Sequence, residues 1–352
     1  MKSLKRILSI SLLVSVAAFW SLTAAFAADV MTVLGPVPAE KLGVVLIHEH
    51  MAFHWPGSDA DTSMAPFDLQ ATEEKVMKVL NDIKAVGVNT IVDAGMNDVG
   101  GRSPILLRNL AKKSGLNIIM ATGLYFEREG QSLYFKYRSW IMGANMEQEI
   151  YEMFKKEITE GVWGTGIKAG IIKVASDEKI TDYEKVVFKA AVRAANETGV
   201  PIITHSQGDA VGPAQQKLFL SLGGNPKKIM IGHQNNSNDV NYHLYQLSRP
   251  DFYLGFDRTG LGVPWCPPGN EEALIELVKK GYANRIMLAH DSIASWPGRP
   301  FTWPDAVKPA VKDWYPTYIH TKVIPKMKAA GVTDEQIKMM LVDNPRRFFN
   351  GE

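Results

Sequence analysis

The sequence predicts a single (β/α)8 barrel, and two observations carry the prediction. Eight short β-branched runs recur along the chain, and between them lie stretches with apolar side chains about every three to four residues. No GxGxxG follows any of these runs, whereas an open doubly wound sheet typically carries such a glycine pattern early and has fewer strands. Near-continuous apolar strands alternating with amphipathic helices indicate a parallel sheet covered by helices. Eight such units in the 325 residues from 28 to 352 fit a closed barrel.

Taken in order, the predicted strands are Val44–His48, Thr90–Ala94, Asn117–Thr122, Gly170–Ala175, Pro201–Ser206, Ile229–Gln234, Phe252–Asp257 and Ile286–Asp291. Each is rich in Val, Ile or other residues that suit a buried strand. Helical spacing is read over Ala71–Ala85, Met146–Glu160, Tyr183–Thr198, Glu271–Gly281 and Tyr318–Ala330. No Pro/Ser linker or charge block divides the chain, so residues 28–352 read as one domain.

The first 27 residues stand apart. Lys2, Lys5 and Arg6 precede an uncharged run from Ile7 to Phe26, and Ala25-Phe26-Ala27 has the small residues a signal peptidase reads. The expectation is a secretory signal cut before Ala28, giving a periplasmic or secreted protein with no membrane attachment after cleavage. Removing three positive charges and no negative ones takes the formal balance from +2 to −1. A near-neutral surface offers no electrostatic footprint for nucleic acid, so no nucleic-acid partner is expected. At 46% apolar and 22% charged residues the chain is neither disordered nor fibrous. Cys266 is the only cysteine, so no internal disulfide can form and stability must come from the core or from a metal.

The polar exceptions gather at the carboxyl ends of the predicted strands, where barrel enzymes build their active sites. The first strand runs into His48 and His50, and the period of two along an extended chain aims both side chains the same way. Lys173 interrupts the apolar fourth strand; the fifth ends at His205, the sixth at His233, and the eighth at His290 and Asp291. Singly, each has a plain structural explanation: a hydrogen-bonded rim histidine, a snorkelling lysine, an aspartate capping a helix. Jointly, imidazole and carboxylate at one mouth are the ligand set of zinc and similar divalent ions. Burial of Lys173 among Ile171, Ile172 and Val174 lowers its pKa toward a neutral amine, which can add carbon dioxide and become a carbamate able to bridge two cations. Asp257, ending the seventh strand, and Glu49, between the two histidines, are expected to point away as structural groups.

HEH on the first strand, GIIKVA on the fourth, THS on the fifth, GH on the sixth and HD on the eighth resemble the amidohydrolase superfamily, and within it the phosphotriesterase family. The likeness runs from TVLGPVPAEKLGVVLIHEH through ATGLYF and GTGIKAGIIKVASDE to LAHDS and DNPRRFF, nearly the whole chain after the first 27 residues. It implies that His48, His50 and Asp291 hold the more buried of two metal ions, His205 and His233 the more exposed one, and that carboxylated Lys173 and a hydroxide bridge them. Zinc is the first expectation, with Mn²⁺, Co²⁺ or Fe²⁺ taken by the same ligands according to supply. The resemblance suggests a homodimer, and it gives no ligand role to His54, His243, His290 or His320, which are read as rim or surface residues.

The implied chemistry is hydrolysis: hydroxide attacks a carbonyl or phosphorus centre, the more exposed metal polarises the oxygen, and Asp291 accepts the proton. No G-x-S-x-G is present. Tyr125 in GLYF and Arg258 in GFDR stand where the lactonase branch of the family carries a tyrosine facing the metals and an arginine. The expected activity is therefore a lactonase acting on N-acyl homoserine lactones or related lactones, with phosphotriesterase activity at its side. The segment SIASWPGRPFTWPDAVKPAVKDWYP is read either as a stiff aromatic loop over the site or as a docking surface. Phosphotriester hydrolysis as the main activity, and a non-catalytic metal- or ligand-binding protein, remain open at this point.

Overall fold

The computed structural model describes residues 29–61, 63, 68–208 and 210–352. The export signal expected over residues 1–27 lies outside them. An antiparallel hairpin opens the described chain, β1 (Asp29–Thr32) with β2 (Gly35–Pro38). Eight parallel strands follow, β3 (Val45–Glu49), β4 (Thr90–Asp93), β5 (Asn117–Leu124), β6 (Ile171–Ser176), β7 (Ile202–Ser206), β8 (Ile229–Ile231), β9 (Tyr253–Phe256) and β10 (Ile286–Leu288), paired in sequence order. The sheet closes on itself just past β10. Asp291 N–H donates to His48 O at 3.0 Å, His50 N–H to Ser292 O at 2.8 Å and Ala294 N–H to His50 O at 2.9 Å. All eight predicted barrel strands are present, and closure removes the sheet edges.

Alternation along the strands divides the core into two layers. Leu46, Ile91, Ile118, Ile172, Val174, Ile202, Ile229 and Leu254 face the surrounding helices. Val45, Ile47, Val92, Ile119, Ile171, Ile203, Met230 and Met287 fill the barrel, which is plugged at its amino end by Val30, Leu42, Phe348 and Phe349. Lys173 follows from this parity: one residue in from Ile172, it points to the barrel axis, directly above Ile171.

The outer layer consists of α1 (Leu69–Ala85), α2 (Pro104–Ser114), α3 (Leu133–Met142), α4 (Met146–Thr159), α5 (Asp182–Thr198), α6 (Gly212–Ser221), α7 (Val240–Leu247), α8 (Asn270–Leu277), α9 (Lys308–Val311), α10 (Ile324–Ala329), α11 (Asp334–Lys338) and α12 (Asn344–Asn350). Side chains cap their starts where the composition allows. Asp68, Ser103, Asn145 and Thr181 each accept a backbone N–H in the first turn of α1, α2, α4 and α5, and Thr181 with Glu184 completes a reciprocal capping box. Two predicted helices are altered. The one over Glu271–Gly281 is α-helical only to Leu277 and ends in a wider π turn whose Gly281 has φ 95°. The one over Tyr318–Ala330 begins as a π turn, Ile319–Val323, before Pro325, which has no N–H to give to the preceding turn. Among the described residues no helix is long and apolar enough to cross a membrane.

Candidate active site

One irregularity in β3 decides where the two histidines of the HEH motif point. Leu46 pairs with Ile91 and Glu49 with Asp93, so three steps along β3 match two along β4. Straight alternation from Val45 and Ile47 would turn Glu49 into the barrel and both histidines out. The extra residue reverses the parity, aiming His48 and His50 at the mouth and Glu49 behind the sheet. Glu49 there accepts from His290 Nδ1 at 2.7 Å and from Ser292 N and Oγ at 2.9 and 2.6 Å, as a structural group pointing away. Asp93 pins the turn after His50, accepting the Met51 N–H at 2.8 Å.

A second device operates on the strands that end in His233 and Asp291. Both were predicted to reach those residues extended, yet β8 stops at Ile231 and β10 at Leu288. His233 and Asp291 adopt the left-handed region, with φ 57° and 53°, where non-glycine residues are uncommon. Such strain collects at functional sites and persists only where the surroundings enforce it.

The six residues His48, His50, Lys173, His205, His233 and Asp291 come together at the carboxyl rim. Asp291 Oδ1 lies 3.1 Å from both His48 Nε2 and His50 Nε2. Lys173 Nζ is 3.1 Å from His48 Nε2 and donates to Thr204 O at 3.0 Å. His205 Nδ1 and His233 Nε2 face each other at 2.9 Å. Behind them, His48 Nδ1 and His233 Nδ1 are bound to separate oxygens of Asp257 at 2.8 and 3.0 Å, and His205 Nε2 to Gln207 Oε1 at 2.8 Å.

These outer partners assign the ring protons. With Nδ1–H of His233 given to Asp257 and Nε2–H of His205 given to Gln207, the facing atoms His205 Nδ1 and His233 Nε2 both carry lone pairs. Burial, with the Arg258 cation among the further causes, pulls His233 down to about 3 and His205 well below the ordinary histidine range, so neither ring takes a proton to relieve the pair. Two lone pairs turned on one point suit a metal cation. His48 shows the same demand in another way. Burial and the Lys173 ammonium oppose its protonation, but Asp291 and Asp257 outweigh them and raise its pKa, so positive charge is favoured between His48 Nε2 and Asp291 Oδ1. The 3.1 Å from Asp291 Oδ1 to each of His48 Nε2 and His50 Nε2 is close to the ~3.4 Å edge of a tetrahedron of zinc ligands. His48, His50 and Asp291 thus form a group able to hold a metal ion.

Lys173 is almost fully buried, and desolvation pulls its amine down to about 8 against the opposing Asp257 and Asp291 carboxylates. Burial also works against ionisation of Asp291, but His48, by charge and hydrogen bond, and a hydrogen bond from His50 hold its carboxyl well below the usual range.

Three readings of individual residues are corrected. Asp257 does not point away: following Tyr253 and Gly255 at a period of two, it turns inward and is fully buried beneath the histidines. Its carboxylate, with His48 and His233, makes a second cluster of metal-ligand type, though each oxygen lies at hydrogen-bond distance from one Nδ1. His243 and His290 are not at the rim or surface but fully buried. His290 follows the inward Ala289, so its ring passes outward, where Nε2 accepts the Ile319 N–H at 3.1 Å; His243 sits on α7 and meets Ser237 O at 3.0 Å. His54 is at the rim, its ring 6.2 Å from that of Trp296, and His320 is half-buried.

Above the cluster opens a cleft of about 380 Å³ lined by five of the six residues, all but His233, and by Tyr125 and Arg258. Arg258 Nε donates to Asp291 Oδ2 at 3.0 Å and Nη1 to Asn236 Oδ1 at 3.2 Å. Tyr125 stands edge-on to His205, ring centres 5.2 Å apart, with its backbone N–H held by Asp98 at 2.9 Å. Trp296, Trp303 and Trp314 of the Trp/Pro segment line the cleft together with Trp55 and Trp265. All but Trp265 are tied in series through Phe301: Trp55 to Trp296 at 5.1 Å, Trp296 stacked on Phe301 at 4.3 Å, Phe301 to Trp303 at 4.9 Å, Trp303 to Trp314 at 6.1 Å. Sequence reading missed Asp257, Gln207, Trp55 and Trp265. Only Asp257 left a usable signal, its odd-numbered parity with Tyr253 and Gly255.

A closed parallel barrel with imidazoles, a buried amine and a carboxylate converging under a cleft at its carboxyl rim defines a barrel hydrolase of the metal-dependent kind. The model of the phosphotriesterase family matches residues 28–349, and the chain belongs to that family. It is 35% identical to a phosphotriesterase homology protein of Mycobacterium tuberculosis, over 91% of this chain and 97% of that one. An aryldialkylphosphatase of Saccharolobus solfataricus is 32% identical over 89% of this chain and 97% of its own. The solved structure of a substituted PTE-like lactonase from Deinococcus radiodurans superposes with a TM-score of 0.87 at 44% identity, covering 91% of this chain and 99% of that one. The protein is a hydrolase acting on ester bonds, in a family of binuclear metal-dependent enzymes.

Proposed function

We propose that the protein is a lactonase that works with two divalent cations, zinc first among them. His48, His50 and Asp291 would hold one cation and His205 and His233 the other, and Lys173, once carboxylated, would offer its oxygens to both. The approach of His205 Nδ1 and His233 Nε2 to 2.9 Å, with the outer nitrogen of each ring on a carbonyl or carboxylate oxygen, is the observation that carries the metal reading. Tyr125 and Arg258 beside the cluster, and the 44% identity to a PTE-like lactonase, favour lactones over phosphotriesters.

Divalent cations held by these residues would lower the pKa of water and polarise the scissile carbonyl. Lys173 makes the bridging group when its neutral amine attacks carbon dioxide: an N–C bond forms, one C=O pair moves to oxygen, and a proton leaves to solvent. Arg258 holds Asp291 by Oδ2, fixing its carboxylate over the site, where it takes the proton released in the attack. Burial pushes the Tyr125 phenol well above its usual pKa, so it stays protonated as a donor toward the substrate oxygens. The tryptophan-lined wall accepts an apolar acyl chain and excludes water.

Comparing kcat/KM for an N-acyl homoserine lactone, a simple δ-lactone and a paraoxon-type ester tests the substrate class. The lactones are expected to lead; a preference of about a hundredfold for the phosphotriester would make phosphotriester hydrolysis the main activity.

A homodimer completes this reading. α3 leaves Leu133, Tyr134, Tyr137, Trp140, Ile141 and Met142 exposed on one short helix, a contiguous apolar surface of the kind that marks subunit contacts. Light scattering on the eluted protein is expected to give twice the chain mass, and Trp140→Glu with Ile141→Lys to give one. A parent protein that stays monomeric at micromolar concentration contradicts the assembly.

A further inference from the structure

We infer that Asp257 is a positioning residue that selects the ring tautomer of one imidazole in each half of the cation site, and that its loss disables the His48 half alone. The inference rests on the cation-binding reading above.

The carboxylate is fully buried and divided between two rings. Oδ2 accepts from His48 Nδ1 at 2.8 Å; Oδ1 accepts from His233 Nδ1 at 3.0 Å and from the His233 backbone N–H at 2.6 Å. Because both Nδ1 atoms must carry the proton to donate, the neutral form of each ring has its lone pair on Nε2. Those Nε2 atoms face Asp291 Oδ1 and His205 Nδ1 respectively. One rigid group thus sets the two rings from behind, and through them the separation of the two half-sites, as outer carboxylates do for metal-bound histidines.

Two glycines lie against this carboxylate, Gly232 just past the neighbouring β8 and Gly255 two residues earlier on its own strand, β9. A Cβ on Gly232 would lie 2.9 Å from Asp257 Oδ2, and one on Gly255 would lie 3.1 Å from it. A Cβ at Gly232 would also meet Thr204 O at 2.1 Å, and one at Gly255 would meet the Met230 side chain at 2.9 Å, so glycine at both positions keeps the packing around the carboxylate open.

Asparagine at 257 breaks the symmetry in a defined direction. Its one acceptor oxygen remains with the two donors of His233, and its amide N–H₂ then faces His48 Nδ1. A donor facing a donor forces His48 to move its proton to Nε2, the atom turned toward Asp291 and Lys173. The His48–His50–Asp291 half loses a ligand, while the His205–His233 half keeps both.

The test is cobalt(II) titration of metal-stripped parent and Asp257→Asn protein against a competing chelator, followed by the visible ligand-field bands. The parent is expected to bind about two cobalt ions. In the variant the dissociation constant of one ion should rise roughly 10–100-fold, and that of the other should change less than about threefold by the same measure. Equal weakening of both ions, or parent-like binding of both, overturns the inference. A parent that binds no cobalt instead defeats the cation reading on which it rests. Histidine nitrogen NMR of the unsubstituted holoenzyme serves should the variant fail to fold: His48 and His233 must both be protonated at Nδ1, and Nε2–H on either overturns the assignment.

Discussion

Replacing Lys173 by alanine is expected to leave the protein with far fewer than the two cations per chain of the parent, and to lower kcat/KM by about 10³-fold or more. The amine sits 3.1 Å from His48 Nε2 on an inward position of β6, and no other described side chain offers an equivalent group between the two half-sites. Alanine also opens a cavity, which would lower stability without bearing on the chemistry. Lys173→Met keeps the volume and removes the amine, and its metal content should match that of the alanine variant. Elemental analysis of the three proteins decides the matter. Two cations per chain in all of them would remove the carbamate bridge.

Asp291→Asn should have an effect of similar size with a different signature. Asparagine tolerates the left-handed backbone at φ 53°, so the local turn survives. The negative charge does not, and it is shared among His48, His50 and Arg258. The Arg258 guanidinium, only 7% exposed, is left without its carboxylate, a situation that costs about 3 kcal/mol when one partner of a buried pair is removed. We expect kcat/KM to fall about 10³-fold and the denaturation midpoint to drop. Adding Arg258→Met should recover much of the stability and none of the activity. Activity near that of the parent in Asp291→Asn would exclude Asp291 as ligand and proton acceptor together.

Much of this site was legible from residue types and their places. Four histidines, a lysine and an aspartate at strand ends are conspicuous because strands of Val and Ile have no structural use for them. Lys173 was legible in orientation as well, since its neighbours Ile171, Ile172 and Val174 alternate without interruption. Asp257 was misjudged by treating a strand-end carboxylate as peripheral, although Tyr253 and Gly255 set it inward. His243 and His290 were misjudged for a related reason. A histidine without a ligand role reads as a surface group, whereas each ring is absorbed inside, by Ser237 O or by Glu49 and Ile319.

The chain's own pattern determined the barrel, the order of its eight strands and the six residues gathered at its mouth, because burial periodicity and rare polar interruptions are local properties. Tertiary structure alone decided how they aim. The extra residue in β3, the left-handed turns at His233 and Asp291, and the seating of Asp257 between two rings are imposed by neighbouring strands, and a register shift of one residue leaves no trace in composition or spacing.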